Sequence, residues 1–127
     1  MARQAKTDRK KAYLRGHMAE WVAVIWLSFK GYRILARRFK TGRGEIDIIA
    51  RRGNTVAFVE VKYRRSLDEA LLAVTVTNQK RIIAASNIWL SGRNNLATCT
   101  YRYDIFAVMP RRRPVHLENA FSAEVNN

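Results

Sequence analysis

Apolar residues first recur at helical spacing over residues 12–29, where Leu14, Met18, Trp21, Val22, Ile25 and Phe29 mark a stripe. Ala23, Val24, Trp26 and Leu27 add apolar positions elsewhere around the turn, which predicts a helix buried on more than one side. Lys30-Gly31 supplies a basic last turn and a glycine stop. The period then drops to two. Residues 32–36 predict a strand, a basic loop runs through Arg43-Gly44, and 45–50 and 55–62 predict two more strands joined by Arg51-Arg52-Gly53-Asn54. Residues 68–90 read as mostly helical, firmest over 78–90, with Ile82, Ile83, Ala85, Ser86 and Trp89 on the apolar face. Ser91-Gly92 ends that helix, 98–109 form a strand, 110–114 a basic turn and 115–121 a short edge strand. The first three strands suit an antiparallel meander. A right-handed helical crossover then brings the next strand parallel to the third.

Composition changes this picture in one respect. A chain of 127 residues, 48% hydrophobic, suffices for one core and is too short for two. We read 1–11 as a mobile basic arm without periodicity, 12–121 as a single domain and 122–127 as a tail. The charge is unusual: 24 Lys and Arg against 10 Asp and Glu, a formal +14. Such a surface favours a polyanion, nucleic acid being the commonest. A membrane partner is not expected, since no segment joins a basic helical face to a broad apolar one. The longest apolar run, 18–29, is interrupted by Glu20 and too short to span a bilayer. The lone cysteine, Cys99, rules out an intrachain disulfide, and the N-terminal cations are not followed by an apolar leader. The expected compartment is the cytoplasm.

Candidate chemistry concentrates in the predicted hairpin. Alternation places Glu45, Asp47 and Ile49 on one face of their strand, and Phe58, Glu60 and Lys62 on one face of the next. If Arg51 and Asn54 flank a two-residue turn, Asp47 stands opposite Phe58 and Glu45 opposite Glu60. Asp47 and Glu60 are then diagonal neighbours, roughly 7–8 Å apart between Cα atoms. Carboxylates gathered on one face repel unless neutralised, and a hard divalent cation such as Mg²⁺ does so with one or two carboxylates plus water and phosphate oxygens. Lys62, on the same side, is placed to contact a phosphate or an attacking water. Solvated hairpin charges are the plainer alternative. Against it, Glu20, Glu45, Asp47 and Glu60 make up four of only ten acids, and an idle Glu in so apolar a strand is expensive.

An Asp, twelve residues, then Glu-Val-Lys, preceded by a helical Glu, resembles the PD-(D/E)XK nuclease superfamily. The wider set resembles the YraN family, which looks like the archaeal Holliday-junction resolvases. It comprises Gly16, Ala19-Glu20, Gly31-Tyr32, Ile34-Leu35-Ala36-Arg37, Gly44-Glu45-Ile46-Asp47, Phe58-Val59-Glu60-Val61-Lys62, Ala73-Val74-Thr75 and Arg102-Tyr103-Asp104, in family order over nearly the whole chain. The resemblance implies an α/β, restriction-endonuclease-like αβββαβ core: a mixed central sheet with helices on both faces. It further implies metal ligation by Asp47 and Glu60, with Mg²⁺ or Mn²⁺ as cofactor, Lys62 as the catalytic cation, and Glu20 completing the site through water. Resolvase-like proteins act as dimers, so a homodimer is implied too. Val76 and Asn78 depart from residues common among relatives (Pro and Lys), so no role is carried to Asn78. Gln79 is taken as the helix residue facing the site.

Glu20 has small or apolar helical neighbours, so it either borders an open site or forms a salt bridge to an arginine. Asp104 suits a structural ion pair better than catalysis. Neither His17 nor His116 belongs to a zinc pattern. Arg37, Arg38, Lys40, Arg43, Arg64 and Arg65 bracket the proposed site, with Lys80 and Arg81 beside Gln79, and are expected to contact the nucleic-acid backbone. No base-reading motif is visible, and DNA is preferred to RNA. The expected activity is Mg²⁺-dependent endonucleolytic hydrolysis of DNA, branched or junction DNA included; the rivals are a non-catalytic nucleic-acid-binding module and an RNA- or ribosome-associated protein.

Overall fold

The computed structural model describes residues 2–123. Helix α1 (Ala2–Phe29) leads into strands β1 (Arg33–Lys40), β2 (Glu45–Arg52) and β3 (Thr55–Tyr63). Helices α2 (Leu67–Ala73) and α3 (Val76–Leu90) follow, then β4 (Thr100–Val108) and β5 (Val115–Phe121). The sheet runs β1-β2-β3-β4-β5, antiparallel except for the parallel β3–β4 pair that the helical crossover permits. This is the mixed, restriction-endonuclease-like α/β architecture expected, with α1 on one face and α2 and α3 on the other. Among the described residues no helix is long and apolar enough to cross a membrane.

Strand alternation divides the core in two. On the α1 side, Ile48, Ala50, Ala57, Val59 and Phe106 pack with Ala19, Ala23 and Leu27. On the other, Ile49, Val56, Phe58 and Ile105 pack with Ile82, Ala85 and Trp89 of α3. β3 is buried on both faces from Val56 to Glu60, as a central strand must be.

Three expectations are corrected. Residues 2–11, read as an arm without regular structure, continue α1 as an exposed helix. Of the six residues in the apolar stripe of that helix, only Val22 packs against the core. Leu14, Met18, Trp21, Ile25 and Phe29 are exposed, and the buried positions are Ala19, Glu20, Ala23 and Leu27. Two alanines let the helix axis approach the sheet more closely than the bulky stripe would. Finally, the helical stretch 68–90 is broken at Val74-Thr75. Ser66 caps α2 through the Glu69 N–H (3.1 Å), and Thr75 caps α3 through the Asn78 N–H (3.1 Å).

Candidate active site

The site forms where β2 and β3 part. The hairpin turn is Gly53-Asn54, with Gly53 at φ 58°, so Arg52 pairs with Thr55 and Ile48 with Val59. The expected register was two residues off, and a shift of two preserves every face. Extended by one step, it sets Asp47 directly across from Glu60 rather than diagonal to it. The paired ladder ends at Ile48–Val59, and the Asp47 carboxylate Oδ2 accepts the Val61 N–H at 2.8 Å instead. A side chain thus does the work of a backbone carbonyl while the strands separate around it.

Into this opening β3 directs Glu60 and Lys62, continuing the alternation of Val56 and Phe58 toward α3. They share a cleft of about 510 Å³ with Glu45, Asp47, Val61, Thr75, Thr77, Asn78 and Arg81. Gly44 brings this wall together, because a Cβ there would lie 2.1 Å from the Arg81 carbonyl oxygen. Burial pushes the Glu60 carboxyl up to about 10, and its hydrogen bond to Asp47 and the repulsion from that residue add to the rise; Lys62 opposes it. At neutral pH Glu60 therefore keeps its proton, which its hydrogen bond directs toward Asp47.

That arrangement fits a hard divalent cation. Two acidic side chains side by side repel once both are ionised, and a hard cation would relieve that repulsion. Among the described residues no three acidic, His or Cys side chains converge as a ready cage. Asp47 and Glu60 would hold the ion, and water and substrate oxygens would complete its shell.

Glu20 borders Asp47 and Glu45 rather than Glu60 and Lys62. It lines an adjoining cleft of about 380 Å³ with Tyr13, Gly16, His17, Arg38 and Lys40, which meets the first only through Glu45, Asp47 and Val61. Its carboxylate accepts from Arg37 Nη2 at 3.1 Å and Arg38 Nε at 3.0 and 3.1 Å, the salt bridge weighed as the alternative. Consecutive strand residues normally point to opposite faces. Arg38 adopts φ 52°, a left-handed conformation that costs a non-glycine residue on the order of 1 kcal/mol and turns it beside Arg37. Arg37 also stacks over Trp21 at 4.2 Å, and Arg38 contacts His17. Gln79 is likewise not among the residues lining the Glu60 cleft; its amide donates to the Val74 carbonyl at 3.1 Å, and α3 contributes Thr77, Asn78 and Arg81.

The basic candidates are dispersed. Lys40 borders the Glu20 cleft, and Arg81 the Glu60 cleft. Arg64 and Arg65 lie beside Arg15 at another surface hollow, Arg43 faces α3 near Asn87, and Lys80 is exposed. Asp104 is structural. It is fully buried and accepts from Arg102 (2.9 Å twice), His116 Nε2 (2.8 Å) and the Asn119 N–H (2.9 Å). Burial would raise its pKa, but those hydrogen bonds outweigh it and leave the carboxyl below its ordinary value. His116 in this network escaped the sequence, because its partner becomes adjacent only when β5 pairs with β4.

The model of the uncharacterised protein family UPF0102 matches residues 19–108. A UPF0102 protein from Chelativorans sp. (strain BNC1) is 54% identical over 97% of this chain and 99% of its own. One from Sinorhizobium medicae (strain WSM419) is 57% identical over 87% and 91%, and one from Bartonella bacilliformis is 48% identical over 93% and 97%.

Proposed function

The chain belongs to the uncharacterised protein family UPF0102, the YraN family, and from its carboxylate pair we propose that it is a Mg²⁺- or Mn²⁺-dependent endonuclease acting on DNA, junction DNA included. The observation that carries this is the contact of Asp47 with Glu60, inside a cleft that also holds Lys62 and Arg81. Two acids forced together in a protein with a formal charge of +14 are hard to explain as solvation of a surface.

The reaction adds water across one P–O bond of a phosphodiester, leaving a phosphomonoester and a hydroxyl. A bound Mg²⁺ would supply Lewis acidity toward the phosphoryl oxygen and an acidified water. This chain's own groups do the rest. Lys62 stabilises negative charge on the phosphoryl oxygens, and Arg81 and the Asn78 amide bind the phosphate from the α3 wall. Asp47 is held in place by the Val61 N–H, so it is oriented before any ligand arrives.

The test is a cleavage screen with Mg²⁺ and Mn²⁺ over duplex, single-stranded and four-way junction DNA. We expect nicking of at least one substrate, abolished by Asp47→Asn. Binding to such DNAs without cleavage under either ion identifies a non-catalytic binding module. Cleavage that survives Asp47→Asn and Glu60→Gln places the activity outside this site.

A further inference from the structure

Residues 2–16 at the start of α1 are exposed throughout, so packing does not account for their charges. Lys6 and Lys10 stand four residues apart, and Arg3 and Arg9 each three from Lys6, spacings at which like charges destabilise a helix. Among the described residues no ion pair involves Arg3, Lys6, Arg9 or Lys10. A partner dense in negative charge turns this repulsion into attraction.

Direction says which partner. At roughly 100° per residue, Arg3, Lys6, Arg9 and Lys10 fall in a sector roughly 120° wide. Tyr13, Gly16, His17 and Glu20 continue that side of the helix, and all four line the cleft that Asp47 and Glu45 share. The segment's one acid, Asp8, lies off this side and accepts from Gln4 at 3.2 Å. The cations therefore prolong one wall of the candidate active site outward from the core.

We propose that this stripe is the track for the DNA flanking the scissile phosphate, one strand of the duplex running along α1 toward the cleft. The proposal rests on the nuclease reading for its substrate and adds the surface that holds it. From Arg3 to Tyr13 the helix rises about 15 Å. A duplex strand presents one phosphate about every 3.4 Å of axis, so the four cations face roughly four or five phosphates. Phosphate contacts carry no sequence information, so binding is expected to be indifferent to sequence. A bilayer is the poorer occupant. Leu14, Met18, Ile25 and Phe29, the exposed residues it would take up, point about 100° away from the cations.

Anisotropy of a fluorescent duplex, titrated with the full chain in chelator from about 50 to about 200 mM salt, tests this without any need for cleavage. Each phosphate contact contributes about 0.9 to the slope of log affinity against log salt. Arg3→Gln, Lys6→Gln, Arg9→Gln and Lys10→Gln together should lower that slope by roughly 3–4. The variant then loses roughly 100-fold less affinity than wild type across the range. Glutamine is a good helix former, and circular dichroism should stay as in wild type. Two single variants separate position from charge. Lys10→Gln should lower the slope by about 1, whereas Lys11→Gln, about 100° further round the helix, should leave it near wild type. A wild-type slope in the fourfold variant overturns the proposal, and so does an equal loss in both single variants, which would mean net charge alone. So does a wild type that binds phosphatidylglycerol vesicles and no duplex. Where wild type binds duplex but cuts nothing with Mg²⁺ or Mn²⁺, the nuclease reading fails, and the track stands or falls by the slopes.

Discussion

Replacing Glu60 with glutamine should stabilise the metal-free protein at neutral pH, although the residue is buried in the central strand. Glutamine keeps the shape of the protonated acid and an N–H able to donate to Asp47. In the unfolded chain the carboxyl titrates near 4.5, and in the folded chain it is raised. Between those values the native state holds one proton more than the unfolded state, so stability falls as pH rises. Neutral pH lies about 2.5 pH units above the unfolded value, and at about 1.36 kcal/mol per unit this sets a ceiling of about 3.4 kcal/mol. The cleft is open to water, and an effective dielectric nearer 20 than 4 reduces the expected gain to ~1–3 kcal/mol. Urea melts of both proteins in chelator, from about pH 5 to about pH 8, measure it. The two stabilities should converge near the acid end and separate steadily above it. Mn²⁺ should then stabilise the wild type by mass action and leave Glu60→Gln nearly unchanged. A variant less stable than wild type at neutral pH, or curves that stay parallel, would refute the proton held by Glu60 beside Asp47, on which the metal reading rests.

Lys62→Ala should leave DNA affinity and Mn²⁺ binding close to wild type while lowering kcat by roughly 10²–10³-fold, as for a residue that stabilises charge mainly in the transition state; single-turnover cleavage separates the two. Gly44→Ala puts a methyl group against the Arg81 carbonyl and should destabilise the fold by about 1–3 kcal/mol, read from a thermal melt. Asp104→Asn removes the buried carboxylate that Arg102 and His116 share, leaves Arg102 only its longer ion pair with Glu118 (3.6 Å), and should cost about 3 kcal/mol at neutral pH. Because the Asp104 carboxyl is depressed, wild type holds this stability above the ordinary Asp range and loses it as pH falls through the folded value. The gap between the two proteins should therefore close on acidification.

Local pattern was enough for the core strands and the two main helices, because helix and strand periods are properties of neighbouring residues, but not for the helical start of α1. It also placed Glu60 and Lys62 on one face of β3, since alternation is fixed by the pleat. The hairpin register escaped it by two residues: both Arg52-Gly53 and Gly53-Asn54 are acceptable turns, and the choice depends on how Ile48 and Val59 meet the core. The break at Val74 was masked by apolar spacing that runs through it, while the caps Ser66 and Thr75 act through hydrogen bonds only a few residues away.

What only the tertiary structure decided is which surfaces meet. Periodicity shows that α1 has apolar residues around much of its circumference, but it cannot say which face lies inside. The sheet selected the narrower face of Ala19, Ala23 and Leu27, because small side chains allow close approach, and left the larger stripe outside. Glu20 follows from that rotation together with the left-handed turn at Arg38, which brings two arginines onto one carboxylate in a cleft that it shares with Asp47 and Glu45. Gln79 likewise has its amide on the Val74 carbonyl because α3 begins only after the break there. The sequence alone determined the residue types, their periods and the excess of cations. The docking of one element on another settled which acid keeps its proton and which is bound by arginine, because those energies depend on distance and burial that no local pattern contains.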